Sequence, residues 1–266
     1  MKNIETFFTM KVKQEKIVML TAYDYSSAKL SELCDVDIIL VGDSLGMVMQ
    51  GEETTLHVTS EDIIRYGKSV RKGAPNTFII ADMPYMSYHL DIHSAQKNAA
   101  DLILQTGANA VKLEGGSVSR IEAVKAIIDC EIPVVAHLGL TPQSINRFGE
   151  YSVQAKNKKE QENMIKQALA LEEAGAFMLV LECIPEGLGK ELTEALHIPT
   201  IGIGAGRYTD GQVMVWHDIL GLSDMQPKFV KKYTDLKHPI TDAIKEYVTE
   251  VKTDKFPAKA NTYYPK

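Results

Sequence analysis

Short apolar runs rich in β-branched residues alternate with polar stretches of helical periodicity along the whole 266-residue chain. The runs are Lys16 to Ala22, Asp37 to Gly42, Thr77 to Met83, Ala110 to Glu114, Pro133 to Leu138, Phe177 to Cys183, Pro199 to Ile203 and Gln212 to Trp216. Several are almost unbroken, as in Ile38-Ile39-Leu40-Val41 and Phe177-Met178-Leu179-Val180-Leu181. Weak polar–apolar alternation of this kind marks strands covered on both faces, as a parallel sheet requires. Helical patterns lie between them at Ser60 to Lys72, Ser94 to Thr106, Val118 to Asp129, Glu160 to Ala174 and Glu186 to Leu196. The first opens with Thr59-Ser60-Glu61-Asp62, a capping-box-like start. Three of these patterns stop at a glycine before the next strand, Gly73, Gly107 and Gly175. Eight strands with intervening helices predict an α/β protein of the (β/α)8 TIM-barrel type, with a doubly wound open sheet as the alternative. No Gly/Ser-rich or Pro-rich linker interrupts the series. One domain is therefore expected over residues 1–266, with residues 1–15 and about 224–266 as terminal helical decoration.

Composition narrows the possible partners. Lys and Arg number 29 against 35 Asp and Glu, a net charge of −6, and 45% of residues are apolar. That is ordinary globular composition, and the acidic balance argues against broad electrostatic binding to nucleic acid or an anionic membrane. Residues 228–266 are locally basic, but their lysines are interleaved with acids, the pattern of solvated helix faces. Cys34, Cys130 and Cys183 form no CxxC pair, the start lacks signal-peptide order, and no apolar run approaches the roughly 18 residues of a membrane helix. A cytoplasmic protein acting on small molecules is expected.

The candidate chemistry sits where the apolar runs end. Asp43 closes the second run, Asp82 the third, Lys112 and Glu114 the fourth, His137 the fifth and Glu182 the sixth. In a barrel these ends form the catalytic face. Lys112 and Glu114 are two apart on a strand and so share one side, toward the barrel axis, with Val111 and Leu113 on the other. Asp43 and Asp82 occupy equivalent ends of neighbouring strands, and two hard oxygen ligands with room for water and a chelating substrate suit Mg2+ better than zinc. Glu182 follows a strongly apolar run, which raises a carboxyl pKa toward that of a useful general base. If it faces inward, Cys183 faces the helix layer and is core packing, not a nucleophile. Taken singly, each acid has a plain alternative as a helix cap or rim ion pair. His89 and His93 read as helix-start surface. His137 is a lone imidazole, an auxiliary that could orient a ligand or relay a proton. Gly202-Ile203-Gly204-Ala205-Gly206 fits either a phosphate cradle or close packing at the barrel mouth. Two long connections, Ser44 to Thr59 and Gly139 to Lys159, both follow strands and are candidate lids.

The segments Thr21-Ala22-Tyr23-Asp24, Val41-Gly42-Asp43-Ser44-Leu45-Gly46-Met47-Val48, Ala81-Asp82-Met83-Pro84, Val111-Lys112-Leu113-Glu114-Gly115-Gly116, His137-Leu138-Gly139-Leu140-Thr141-Pro142-Gln143, Leu181-Glu182-Cys183-Ile184-Pro185 and Ile201-Gly202-Ile203-Gly204-Ala205-Gly206, with Asp210-Gly211-Gln212-Val213 and His217-Asp218 beyond them, resemble the ketopantoate hydroxymethyltransferase family. The resemblance runs in order from about residue 5 to residue 225. It implies a (β/α)8 enzyme of pantothenate and coenzyme A biosynthesis that moves a hydroxymethyl group from 5,10-methylenetetrahydrofolate to 3-methyl-2-oxobutanoate, with Mg2+ as cofactor. By the same resemblance Asp43 and Asp82 are metal ligands, Glu114 lies near the metal through water, Ser44 and Lys112 hold the keto acid together with the metal carboxylates, and Glu182 is the base. A homo-oligomer, a decamer, is implied too. Glu150 and Ala155 depart from the family at positions expected to be glycine.

Three other readings use the same residues. A Mg2+-dependent 2-oxo acid lyase or mutase of the phosphoenolpyruvate mutase and isocitrate lyase type would need the rim carboxylates. A metal-free aldolase would use Lys112 as a Schiff-base nucleophile. A non-catalytic metabolite-binding barrel would use the glycines at 202–206 and would need no positioned base.

Overall fold

The structure, a computed structural model, describes residues 2–224 and 226–265. Its eight strands are β1 (Ile17–Thr21), β2 (Ile38–Val41), β3 (Phe78–Asp82), β4 (Ala110–Glu114), β5 (Val134–Gly139), β6 (Met178–Glu182), β7 (Thr200–Ile203) and β8 (Gly211–Met214). They pair in parallel, each with its sequence neighbours, and β8 returns to β1, so the sheet closes into a barrel. Every expected run became a strand, and the barrel replaces the open-sheet alternative.

Alternation of side chains explains the unbroken apolar runs. Met19, Ile38, Leu40, Phe78, Ile80, Ala110, Val135, Met178, Val180, Ile201 and Val213 form an interior cluster. Their neighbours Ile39, Val41, Ile79, Val111, Leu113, Leu179 and Leu181 belong to a second cluster with residues of the surrounding helices. Each fully buried aliphatic side chain contributes about 1.5–3 kcal/mol of transfer free energy, so both faces of β2, β3 and β4 favour apolar residues, while β1 and β8 expose Val18 and Gln212. The helix α1 (Ile4–Val12) supplies Phe7 and Met10 to the interior cluster, and Phe7 meets Phe78 edge-on at 5.1 Å. It thereby plugs the end of the barrel at which the strands begin.

The outer helices are α2 (Tyr25–Leu33), α3 (Ser60–Gly73), α4 (Ile92–Thr106), α5 (Val118–Ile128), α6 (Lys158–Glu173) and α7 (Glu186–Ala195). α2 was not expected from the pattern. It carries few apolar positions and is started by Asp24, whose side chain accepts from the backbone N–H groups of Ser26 and Ser27. α3 does begin with a capping box between Thr59 and Asp62. The three helix-ending glycines differ in kind. Gly107 is a left-handed cap and Gly175 has positive φ, whereas Gly73 stays helical and is small because a Cβ there would lie 2.3 Å from the Tyr25 carbonyl.

The chain divides into two compact units, one ending at Trp216 and one running from His217. The second contains the helix Lys237–Lys252, which has no buried residue and exposes Ile240, Ile244, Tyr247, Val248 and Val251 besides its charges. Among the described residues, no helix is long and apolar enough to cross a membrane.

Candidate active site

The strand ends bring the expected side chains together. Asp82 is in register with Lys112, Glu114 with His137, and Gly139 with Glu182, so the polar positions step along neighbouring strands at the same end of the barrel. Asp43, Asp82, Lys112, Glu114 and His137 are all buried, although all five are ionisable. Burial of that kind demands partners. Lys112 Nζ lies 2.9 Å from Asp82 Oδ1 and 4.0 Å from Glu114 Oε1. The Asp43 backbone N–H donates to Asp82 Oδ2 at 3.0 Å. His137 Nδ1 is 3.4 Å from Lys112 Nζ and 3.6 Å from Glu114 Oε1, and its Nε2 is 3.3 Å from Glu182 Oε2. Ser44, beside Asp43, has its Oγ 2.8 Å from the Tyr23 hydroxyl.

Electrostatics at this face are unbalanced. Four carboxyls, those of Asp43, Asp82, Glu114 and Glu182, surround one ammonium. Burial, with Asp82 close by, raises the Asp43 pKa to about 7. Burial also raises Glu182 to about 8 and Glu114 well above the carboxylate range. Lys112 goes the other way: burial opposes its charge, but Asp82, Glu114 and Asp43 outweigh that and raise its pKa. Burial and Lys112 hold His137 well below the usual imidazole value, so it is neutral. A divalent cation would offset the excess negative charge, and the donors are hard oxygens. No three of the described His, Cys, Asp and Glu residues form a metal cage. Two carboxylates with the other positions left to water and a chelating ligand fit Mg2+, which keeps several non-protein ligands.

Two buried residues at this site carried no expected role. Gln143 donates from Nε2 to Asp43 Oδ2 at 2.8 Å, and its backbone N–H donates to Glu114 Oε2 at 3.1 Å. The Tyr88 hydroxyl donates to Gln143 Oε1 at 2.6 Å and accepts from the Glu114 N–H at 3.1 Å. Gln143 lies in the Thr141-Pro142-Gln143 segment, whose Pro142 at the start of a 3-10 turn was the only local signal. Tyr151 joins them from the same loop, its phenol pKa raised by burial and by Asp43, Glu182 and Glu114.

Other expectations change on inspection. Cys183 leaves β6 at a left-handed φ of 48° and is only partly buried, so it is a strand-end turn residue and not plain core; burial pushes its thiol to about 12. His89 is packed between Tyr88 and Tyr85, at ring distances of 4.2 and 5.1 Å, instead of lying on an open helix start. The glycines at 202–206 are close packing: a Cβ on Gly206 would fall 2.3 Å from Glu186 Cγ, and the Arg207 N–H already donates to the Glu186 carboxylate. An acid in that position opposes a phosphate. Ala155 is buried at a φ of 53°, a conformation glycine adopts freely, while Glu150 is not at positive φ.

The ketopantoate hydroxymethyltransferase family model matches residues 1–259. The chain belongs to that family. It is 51% identical over 264 residues to the 3-methyl-2-oxobutanoate hydroxymethyltransferase of Geobacillus sp., covering 99% of this chain and 94% of the relative. It is 50% identical over 265 residues to the enzyme of the same name from Clostridium acetobutylicum, covering 99% and 96%. Among solved structures, phosphonopyruvate hydrolase in complex with oxalate and Mg++ matches with a TM-score of 0.63 at 11% identity, over 99% of this chain and 92% of that one. At that identity the likeness is one of fold. Membership of the ketopantoate hydroxymethyltransferase family makes the chain a transferase of pantothenate biosynthesis, and so sets aside the lyase, aldolase and binding-protein readings.

Proposed function

We propose that this chain moves a hydroxymethyl group from 5,10-methylenetetrahydrofolate to 3-methyl-2-oxobutanoate, giving 2-dehydropantoate, by enolisation at C3 with Glu182 as base. The observation that carries the reading is a carboxyl of raised pKa, Glu182, beside the buried carboxylate pair Asp43 and Asp82 and the Lys112 ammonium. Asp43 and Asp82 would hold Mg2+, with Glu114 behind it through water. The cation supplies Lewis acidity toward the keto and carboxylate oxygens of the substrate. Ser44 offers a hydroxyl to the keto acid. Glu182 removes the C3 proton onto its carboxylate. Lys112, fixed by Asp82 at 2.9 Å, places positive charge where the enolate develops. Water hydrolyses the methylene bridge of the folate, releasing tetrahydrofolate and a formaldehyde equivalent; the nucleophilic carbon adds to that carbonyl carbon, and the resulting alkoxide takes the proton held by Glu182 to become the hydroxymethyl group. Removing the general base costs about 100- to 10,000-fold in rate, which is the contribution assigned here to Glu182. A cytoplasmic, decameric homo-oligomer belongs to the same reading.

The test is proton exchange. Incubating the protein with 3-methyl-2-oxobutanoate in D2O without folate, and following the C3 proton by NMR, should show loss of signal with Mg2+ and none with excess EDTA. Exchange that survives EDTA would replace the metal-assisted mechanism. No exchange under either condition, even after tetrahydrofolate is added, would remove Glu182 from the role of base.

A further inference from the structure

Gln143 reaches two of the carboxylates at the barrel mouth, Asp43 through its side chain and Glu114 through its backbone N–H, and every hydrogen-bonding group on its amide is committed. Nε2 donates to Asp43 Oδ2 at 2.8 Å and to the Met83 carbonyl at 3.0 Å; Oε1 accepts from the Tyr88 hydroxyl at 2.6 Å. Gln143 and Tyr88 are both buried. The amide orientation follows from the Met83 carbonyl, which has no proton to give and would face the amide oxygen if the group were turned over. Tyr88 is fixed in turn, because its oxygen takes the Glu114 N–H and so must send its own proton to Gln143. The Gln143 backbone completes the arrangement by donating to Glu114 Oε2.

This network divides the oxygens of each carboxylate. Oδ2 of Asp43 is tied to Gln143, which leaves Oδ1 outside that contact. Oε2 of Glu114 is tied to the Gln143 N–H, and its Oε1 turns toward His137 and Lys112. We propose that Gln143 is a positioning residue for cation binding: seated in the turn after β5, it holds Asp43 so that Oδ1 is presented to the metal, with Tyr88 setting the amide. Outer partners that fix a metal carboxylate are worth 10- to 100-fold in affinity. The inference rests on the metal reading of the previous section and adds the β5 turn as the element that preorganises it.

Direct titration with Mn2+, read from the electron paramagnetic resonance signal of the free aqua ion, tests it without turnover. Gln143→Met keeps the length of the side chain and removes its donors. It is expected to weaken Mn2+ binding by roughly 10-fold or more, the range of such partners. Tyr88→Phe should weaken binding less, and the Tyr88→Phe/Gln143→Met double variant should bind no worse than Gln143→Met, because the tyrosine acts through the amide. At saturating Mn2+ the C3–H exchange rate of Gln143→Met should return close to wild type, a shift in metal requirement with little change in limiting rate. Unchanged Mn2+ affinity in both single variants, or a lowered melting temperature as their only effect, would overturn the proposal and leave the metal reading standing. No Mn2+ binding by the wild-type protein would overturn both.

Discussion

His137 Nε2 faces Glu182 Oε2 at 3.3 Å while Nδ1 of the same ring faces Lys112 Nζ at 3.4 Å. The ammonium can only donate, so Nδ1 takes the acceptor role, and in a neutral ring the proton then resides on Nε2, which lies near Glu182 without forming a hydrogen bond to it. A neutral ring beside the carboxyl adds no counter-charge that would weaken it as a base. Glu182→Gln keeps the shape and this contact but cannot accept the C3 proton. It is expected to lower C3–H exchange at least about 100-fold while Mn2+ affinity stays at the wild-type level. An unchanged exchange rate would show that another group takes the proton.

Lys112 is the obvious candidate for a covalent alternative, and its surroundings argue against one. Asp82, Glu114 and Asp43 raise its pKa, so the free amine needed to attack a carbonyl is scarce. Borohydride added with 3-methyl-2-oxobutanoate is expected to leave the protein mass unchanged. A stable adduct on Lys112 would establish Schiff-base chemistry. Lys112→Met should in addition cost about 3–5 kcal/mol of stability in the metal-free protein, the scale for stranding buried charges, and Mg2+ should recover part of it.

The same carboxyls make stability depend on pH in a definite direction. Burial raises Asp43 to about 7 and Glu182 to about 8, and Glu114 well above the ordinary range. Between about pH 4, where free carboxyls ionise, and about pH 8, the native protein holds protons that the unfolded chain has lost, so stability falls as pH rises. A bound divalent cation offsets the repulsion only once those groups are ionised. Calorimetry is expected to show the melting temperature of EDTA-treated protein falling across this window while the gain from Mg2+ grows. A Mg2+ increment independent of pH would contradict this origin for it.

How much of the site was readable in advance follows from strand geometry. Asp82, Lys112, Glu114 and Glu182 end or nearly end apolar runs, and the two-residue period of a strand fixes which way each points; Lys112 and Glu114 indeed share the inward face with Ala110. Gln143 and Tyr88 escaped the same reasoning because they approach from loops, where direction depends on turn conformation. A proline at the start of a 3-10 turn signals the bend but not the target of the next side chain. α2 escaped because Asp24 capping, more than an apolar stripe, marks its start. The glycines at 202–206 were ambiguous for a different reason: a cradle and a tight packing contact both demand glycine, and only the Glu186 side chain against Gly206 separates them.

Glu182 depends on a close backbone approach that gives a last prediction. Gly139 ends β5 opposite Glu182 with φ of 101°, and Leu140 N–H donates to the Glu182 carbonyl at 2.8 Å. A Cβ built on Gly139 would lie 2.1 Å from that carbonyl oxygen, with backbone on both sides and no flexible side chain to give way. Gly139→Ala must therefore either push β6 outward at its catalytic end or change the exit of the β5 loop, on top of an unfavourable φ that costs about 1–2 kcal/mol by itself. Displacement of a reacting group by about 1 Å can cost about 100-fold in rate. The variant is expected to melt lower and to lose C3–H exchange about 100-fold, with Mn2+ binding reduced less, since Asp43 follows β2 and Asp82 ends β3. Wild-type exchange in a folded Gly139→Ala protein would show that the base does not take its position from this contact.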